Sequence, residues 1–258
     1  MIWIGKRAAE VFAISEHLYS VANTQQNMRL VRNIFEPKAT RVLRAILVNP
    51  RRGWTIRGLA EEVGVSPGYA HAVVSTLIDL GYVARTEHYK VRTVNPTVLL
   101  KRWAAYHQYD RMNSFLEYYT FEREVYRFIQ QLSNVSGSDY ALTALAGASL
   151  IAPHVRPVDV HIYIKRKDEA TMLAETLNLQ PIPKGGNVKL VVPYDEGVFY
   201  GQQTANVRIS GQVGRVSVVS DVQLFIDLYN YPARGLEAAE HLYEGIVEKW
   251  GKAMIGGQ

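Results

Sequence analysis

The chain has 258 residues, 48% of them hydrophobic, no cysteine and a formal net charge of +5. That length and apolar content suffice for one larger or two modest packed domains, and the lack of cysteine excludes disulfides, thiolate metal ligands and a cysteine nucleophile. No run approaches the roughly 20 consecutive apolar residues of a membrane span, and Lys6, Arg7 and Glu10 stand where a signal peptide would be apolar. The sequence therefore predicts a cytoplasmic, soluble protein with no membrane partner.

The charge is unevenly placed. Residues 1–110 hold 15 Lys/Arg against 8 Asp/Glu, a balance of +7, while residues 111–258 hold 14 against 16, a balance of −2. Such asymmetry fits a polyanion-facing module joined to a neutral one, because Lys and Arg on phosphates release counterions. A merely solvated basic surface would look the same.

Residues 1–36 read as an N-terminal helical segment, with Ile4, Ala8, Val11, Phe12, Ile14, Leu18 and Val21 approximating a buried face suited to packing or dimerisation. Residues 37–97 hold three helical patterns and two short strands. Ala39, Val42, Leu43, Ile46 and Leu47 fall at helical spacing and stop before Asn49-Pro50. Thr55 is placed to cap a second helix that buries Ile56, Leu59, Ala60 and Val63, and Gly64 suits the left-handed residue that ends it. Ser66 followed by Pro67 is a strong start signal for a third helix, which buries Ala70, Val73, Val74, Leu77 and Ile78 and stops at Gly81.

A buried face fixes the opposite one. Ser66, Gly68, Tyr69, His71, Ala72 and Ser75 are expected on the free leading edge of the third helix, the end that meets base edges when such a helix enters the major groove. Residues 82–85 and 91–94 read as two strands of a wing joined by Thr86 to Lys90. Arg85, Lys90 and Arg92, with Arg51 and Arg52 ahead of the second helix, suit contacts to phosphates. The expected partner is double-stranded DNA bound by a winged helix-turn-helix; a winged helix serving as a protein-protein module is the alternative.

Residues 98–134 are expected as a helical connector rich in Tyr, Trp and Phe, ending in a loop at Asn134 to Asp139. Residues 135–258 then alternate. A short strand and helix span Tyr140 to Ile151, a strand Val158 to Ile164 and a helix Asp168 to Leu179. Strands follow at Val188 to Val192 and, as a glycine-broken hairpin, at Val207 to Val219. Helices close the chain at Ser220 to Tyr229, with Ser220 as cap, and at Ala233 to Met254. The fold class expected is α+β: the winged helix-turn-helix joined to an α/β domain with a small mixed sheet.

The segments Tyr140 to Pro153, Val158 to Ile164 and above all Val218 to Glu240 resemble the AbiEi-type family of transcriptional regulators, the antitoxins of type IV toxin-antitoxin systems. The resemblance implies a DNA-binding autorepressor of its own operon, no catalytic residues and no cofactor. It also implies a C-terminal domain that counters a nucleotidyltransferase-like toxin encoded nearby. A homodimer would suit two recognition helices on successive turns of the groove.

The middle of the second domain also looks like a minimal, degenerate nucleotidyltransferase core. Gly147 and Ser149 stand where a Gly-Ser turn would hold triphosphate, and Asp159 and His161 stand where a strand would carry two metal-binding carboxylates. With His161 replacing the second carboxylate, the charge magnesium needs is missing, so no metal site and no enzyme are expected. An active nucleotidyltransferase or nuclease using Ser149 and Asp159 is the rival. No histidine pair has the i, i+4 spacing of a helical zinc site. Asp221, Asp227, Arg234 and Glu237 could line a ligand or partner site, against the simpler reading of a helix cap and ion pairs.

Overall fold

A computed structural model describes residues 33–135 and 140–255. Of the N-terminal helical segment expected at residues 1–36, residues 1–32 lie outside the described residues, as does most of the loop expected at Asn134 to Asp139, and residues 33–36 form a turn ahead of the first described helix.

Three helices and a hairpin open the described chain: α1 (Pro37–Val48), α2 (Ile56–Val63), α3 (Pro67–Asp79), β1 (Val83–Arg85) and β2 (Val91–Thr93). The local signals act as their chemistry dictates. Thr55 Oγ1 accepts the Gly58 N–H at 3.1 Å, and Ser66 Oγ accepts that of Tyr69 at 3.3 Å, each satisfying a helix-start donor that has no partner within its helix. Gly64 sits at φ 67°, the left-handed conformation that ends α2. Trp54 and Val91 exchange backbone hydrogen bonds of 2.9 and 2.8 Å, which ties the chain ahead of α2 to the hairpin.

The stretch expected as a helical connector is helical only in part. Pro96 starts α4 (Pro96–Tyr106), where its missing N–H costs nothing. After a single helical turn at Tyr109–Met112 the chain becomes strand β3 (Ser114–Tyr119), and helix α5 (Val125–Gln131) follows. Ser-Phe-Leu-Glu-Tyr-Tyr is rich in aromatic residues that fit a pleated surface, and it pairs in antiparallel register with Val188 to Val192. The connector is thereby part of the second domain's sheet.

That sheet is larger than the small one expected. It also contains β4 (Tyr140–Thr143), β5 (Val160–Ile164), β6 (Gln180–Pro181), β7 (Val188–Val192), β8 (Gln203–Ile209) and β9 (Gln212–Val218), while α6 (Ala144–Ile151) and α7 (Glu169–Thr176) lie between strands in sequence. Among the described residues it has seven strands in the order β6-β3-β7-β5-β4-β9-β8. It is mixed: β5 runs parallel to β7 and antiparallel to β4, and β4 runs parallel to β9. The glycine-broken hairpin closes through Ser210 and Gly211, at φ 49° and 83°, the positive values that a tight turn between twisted strands requires. β4 and β5 are buried at every residue, as central strands covered on both faces must be.

Helix α8 (Asp221–Tyr229) is the hub. It packs against α1, α4, α6, β4 and the last helix, α9 (Gly235–Ile255), and Val222 through Leu228 are all buried. A helix enclosed on every side has no solvent face for its polar residues, so Gln223 and Asp227 must find partners within the protein. Asp227 accepts from Gln223 Nε2 at 2.8 Å, Thr143 Oγ1 at 2.6 Å and Tyr163 OH at 3.1 Å, and lies 3.0 Å from His107 Nε2. Gln223 in turn accepts from Arg44 Nε at 2.7 Å. Arg44 belongs to α1 of the helix-turn-helix, is fully buried, and also donates to Thr40 and to the Tyr194 hydroxyl. Its guanidinium carbon lies 5.0 Å from the centre of the Trp103 ring, a favourable placement for a desolvated cation.

The helix-turn-helix is therefore clamped to the second domain by a buried polar chain running Arg44, Gln223, Asp227, His107. Replacing Asp227 by Ala would strand four donors and leave the Arg44 cation unbalanced, at an expected cost of about 3–5 kcal/mol. Urea denaturation would measure this, with both domains unfolding in one transition; a variant as stable as the parent would show that the carboxylate does not hold the seam.

Candidate nucleic-acid interface

On α3 the inner face is set by Ala70, Val73, Val74 and Leu77, all buried, with Ile78 only half-buried. The opposite edge is free, as the geometry of a helix requires. Ser66 and Gly68 are exposed, and Tyr69, His71, Ala72 and Ser75 are half-buried along the helix side. Nothing lies within 4 Å of the position a Cβ would take at Gly68, so the first turn of α3 is open to a close approach. The Tyr69 ring lies 5.5 Å from Lys38 Nζ at the start of α1. Burial, with the Glu36 and Asp195 carboxylates adding to it, raises its pKa, so its hydroxyl remains protonated at neutral pH, able to donate and to accept.

The cations expected at phosphates face solvent. Arg51, Arg52, Arg85, Lys90 and Arg92 are all exposed. Among the described residues Arg51, Arg85, Lys90 and Arg92 make no salt bridge. Arg52 is more constrained: it stacks 3.8 Å from the centre of the Trp54 ring and lies 3.5 Å from Glu62. In the wing, the Thr86 N–H donates to Lys90 O at 2.8 Å and closes the tip over Glu87, His88 and Tyr89. His88 and Tyr89 both adopt positive φ, 61° and 59°. That turn leaves Tyr89 94% exposed, at a point where a large aromatic ring would otherwise be drawn into the core. Tyr89 and Lys38 are not among the contact residues expected from the sequence; for Tyr89, two bulky residues in a short interstrand loop are the signal.

Residues 38–87 match the model of the IclR helix-turn-helix domain, and residues 92–248 match the family described as transcriptional regulator, AbiEi antitoxin, type IV TA system. The chain belongs to the AbiEi antitoxin family of transcriptional regulators. With its helix-turn-helix, this AbiEi-family chain is a DNA-binding transcriptional regulator of antitoxin type. No curated protein and no solved structure matches it. Among the described residues, no helix is long and apolar enough to cross a membrane.

In the second domain of this AbiEi-family regulator, the four residues resembling a nucleotide site are occupied internally. Gly147 lies inside α6, where a Cβ would come within 2.8 Å of Leu224 and 3.0 Å of the Leu142 carbonyl oxygen. Its small size is explained by close packing against the hub helix. Ser149 is buried and donates its hydroxyl to Ala146 O at 2.9 Å. Asp159 and His161 do meet, at 3.1 Å, and are joined by Lys189 at 3.4 Å and Tyr231 at 3.4 Å from Asp159, with Tyr109 at 2.9 Å from His161. Burial would raise the Asp159 carboxyl, but the hydrogen bond from His161 and the Lys189 ammonium outweigh it and hold the group below its ordinary range. Lys189 reaches this point because β5 and β7 pair His161 with Lys189, a neighbourhood that only strand order reveals.

Asp221, Asp227, Arg234 and Glu237 all find partners within the fold. Asp221 takes Gln203 at 2.6 Å and Lys249 at 2.5 Å, Arg234 pairs with Glu237 at 2.8 Å, and Asp227 is the buried acceptor of the hub. Ser220, and not Asp221, caps the helix, accepting from the Gln223 N–H at 3.2 Å. Gly147→Ala should lower stability by about 1–3 kcal/mol through overpacking against Leu142 and Leu224, measured as a shifted urea midpoint with an unchanged slope. A neutral outcome would remove the packing explanation for this glycine.

Proposed function

We propose that the protein represses its own operon by binding operator DNA with α3 in the major groove and the wing on adjoining phosphates. The observation that carries this reading is the open first turn of α3 in a helix-turn-helix whose exposed Arg51, Arg85, Lys90 and Arg92 make no salt bridge among the described residues. Ser66, Gly68, Tyr69, His71 and Ser75 approach base edges, while Arg51, Arg52, Arg85, Lys90 and Arg92 hold phosphates and set the register. Residues 37–97 act as the DNA-binding unit. The rest of the chain serves as a regulatory body that takes in the segment 98–134, with a second copy of the chain on the other half of a two-fold operator and a toxin encoded nearby as the activity it counters.

The second domain in this reading is a degenerate nucleotidyltransferase-like core with no catalytic role. The environment of Asp159 supports it: the carboxylate is already shared among His161, Lys189 and Tyr231, and an ammonium beside it opposes a divalent cation. Gly147, Ser149, Asp159 and His161 then contribute packing and internal hydrogen bonds.

Affinity for an operator duplex should fall steeply as salt rises, because each phosphate contact releases counterions. Arg92→Ala is expected to weaken binding to all duplexes alike and to reduce the log-log salt slope by about 1, whereas Tyr69→Ala or His71→Ala should narrow the gap between operator and random duplex. Fluorescence anisotropy across a salt series separates the two effects. Binding that ignores salt, or no duplex binding at low salt, would sink the reading and favour a protein-interaction module.

A further inference from the structure

A cleft of about 430 Å³ lies on the seam between the helix-turn-helix and the second domain. Its volume is in the range of small-molecule sites, about 300–1,000 Å³. Leu47 and Val48 at the end of α1, Val222 on the hub helix, and Ile246 and Trp250 on α9 give it apolar walls. Asn49, Pro50 and the two arginines that follow bring the turn ahead of α2 to the same space.

The charges around it are unequal in their commitments. Lys249 is held by Asp221 at 2.5 Å, and Arg52 by Glu62 at 3.5 Å and by the Trp54 ring. Arg51 lines the cleft and makes no salt bridge among the described residues. The site thus offers an apolar chamber and one uncommitted guanidinium.

We propose that this cleft binds a small monoanion with an apolar body, a medium-chain or aromatic carboxylate, and that its occupancy weakens DNA binding by engaging Arg51. The apolar part lies between Val222, Ile246 and Trp250, and the carboxylate takes a charge-assisted hydrogen bond from Arg51. Arg51 stands in the turn that leads into α2, the place from which the proposed function has it hold a phosphate, so one guanidinium serves two competing anions. Binding of the carboxylate is independent of that DNA reading, whereas the effect on DNA rests on it.

The test uses the full chain with octanoate as probe, and 1-octanol and acetate as controls lacking the charge and the apolar body. Titration calorimetry without DNA is expected to show one octanoate site per chain, with octanol at least about tenfold weaker, as for loss of one charged hydrogen bond, and acetate at least about tenfold weaker for want of the buried chain. Arg51→Gln, at an exposed position, should fold normally and lose about tenfold in octanoate affinity. Equal binding of octanol and octanoate, or octanoate affinity unchanged in Arg51→Gln, would overturn the site. In anisotropy assays saturating octanoate should weaken duplex binding as much as Arg51→Gln does, and should have no further effect in that variant. An equal effect of octanoate on both proteins would overturn the coupling through Arg51. Failure of the parent protein to bind duplex at all would overturn the DNA reading and its regulation alone, leaving the calorimetry to decide the cleft.

Discussion

A fully buried arginine is the constraint from which the arrangement of the two domains follows. Arg44 leaves water as part of α1 and can be tolerated only where other polar groups replace its hydration. Those groups lie in the second domain: Gln223 on the hub helix, Tyr194 before β8, and, through Gln223, the Asp227 carboxylate. Because Arg44 finds two of its three acceptors, Gln223 and Tyr194, across the seam, the seam is specified more sharply than apolar packing alone would specify it. The helix-turn-helix is consequently held at one orientation. Arg41 strengthens the same seam with a bidentate pair to Asp195 at 2.8–2.9 Å.

Fixing that orientation has a functional consequence. A recognition helix on a loosely tethered module would leave the second domain no means of altering how it meets DNA. Here the first helix of the DNA-binding unit is packed on the hub helix, and the turn carrying Arg51 and Arg52 borders a cleft whose other walls belong to α8 and α9.

The cluster around Asp159 follows a different logic. A carboxylate, an imidazole, an ammonium and two phenols are packed where the central strand β5 begins beside β7, and each satisfies another. Such mutual satisfaction makes a rigid core feature, since groups with filled hydrogen-bonding capacity have little left to offer a ligand. The same residues read in sequence alone resemble a worn active site, because spacing along a chain carries no record of which neighbour fills the intervening space.

The helix-turn-helix was legible from the amino-acid order because its signals are local. Thr55, Gly64, Ser66 and Pro67 act within one turn of their own positions, and the aliphatic stripe of α3 dictates its free face by helical geometry alone. The Ser220 cap and the strand at Val188 to Val192 were legible for the same reason. What the tertiary structure decided lies in contacts far apart in sequence. Ser114 to Tyr119 becomes a strand because Val188 to Val192 is there to pair with it, and its aromatic pattern is compatible with helix until that partner is known. Asp227 reads in sequence as a ligand-site or ion-pair residue and Gln223 carries no signal of its own; enclosure of α8 by four other helices makes Gln223 the acceptor of a buried arginine 179 residues away and Asp227 the acceptor of Gln223. Local chemistry sets where elements begin and which face they bury, while desolvation, which depends on what arrives from the rest of the chain, sets what their polar side chains are for.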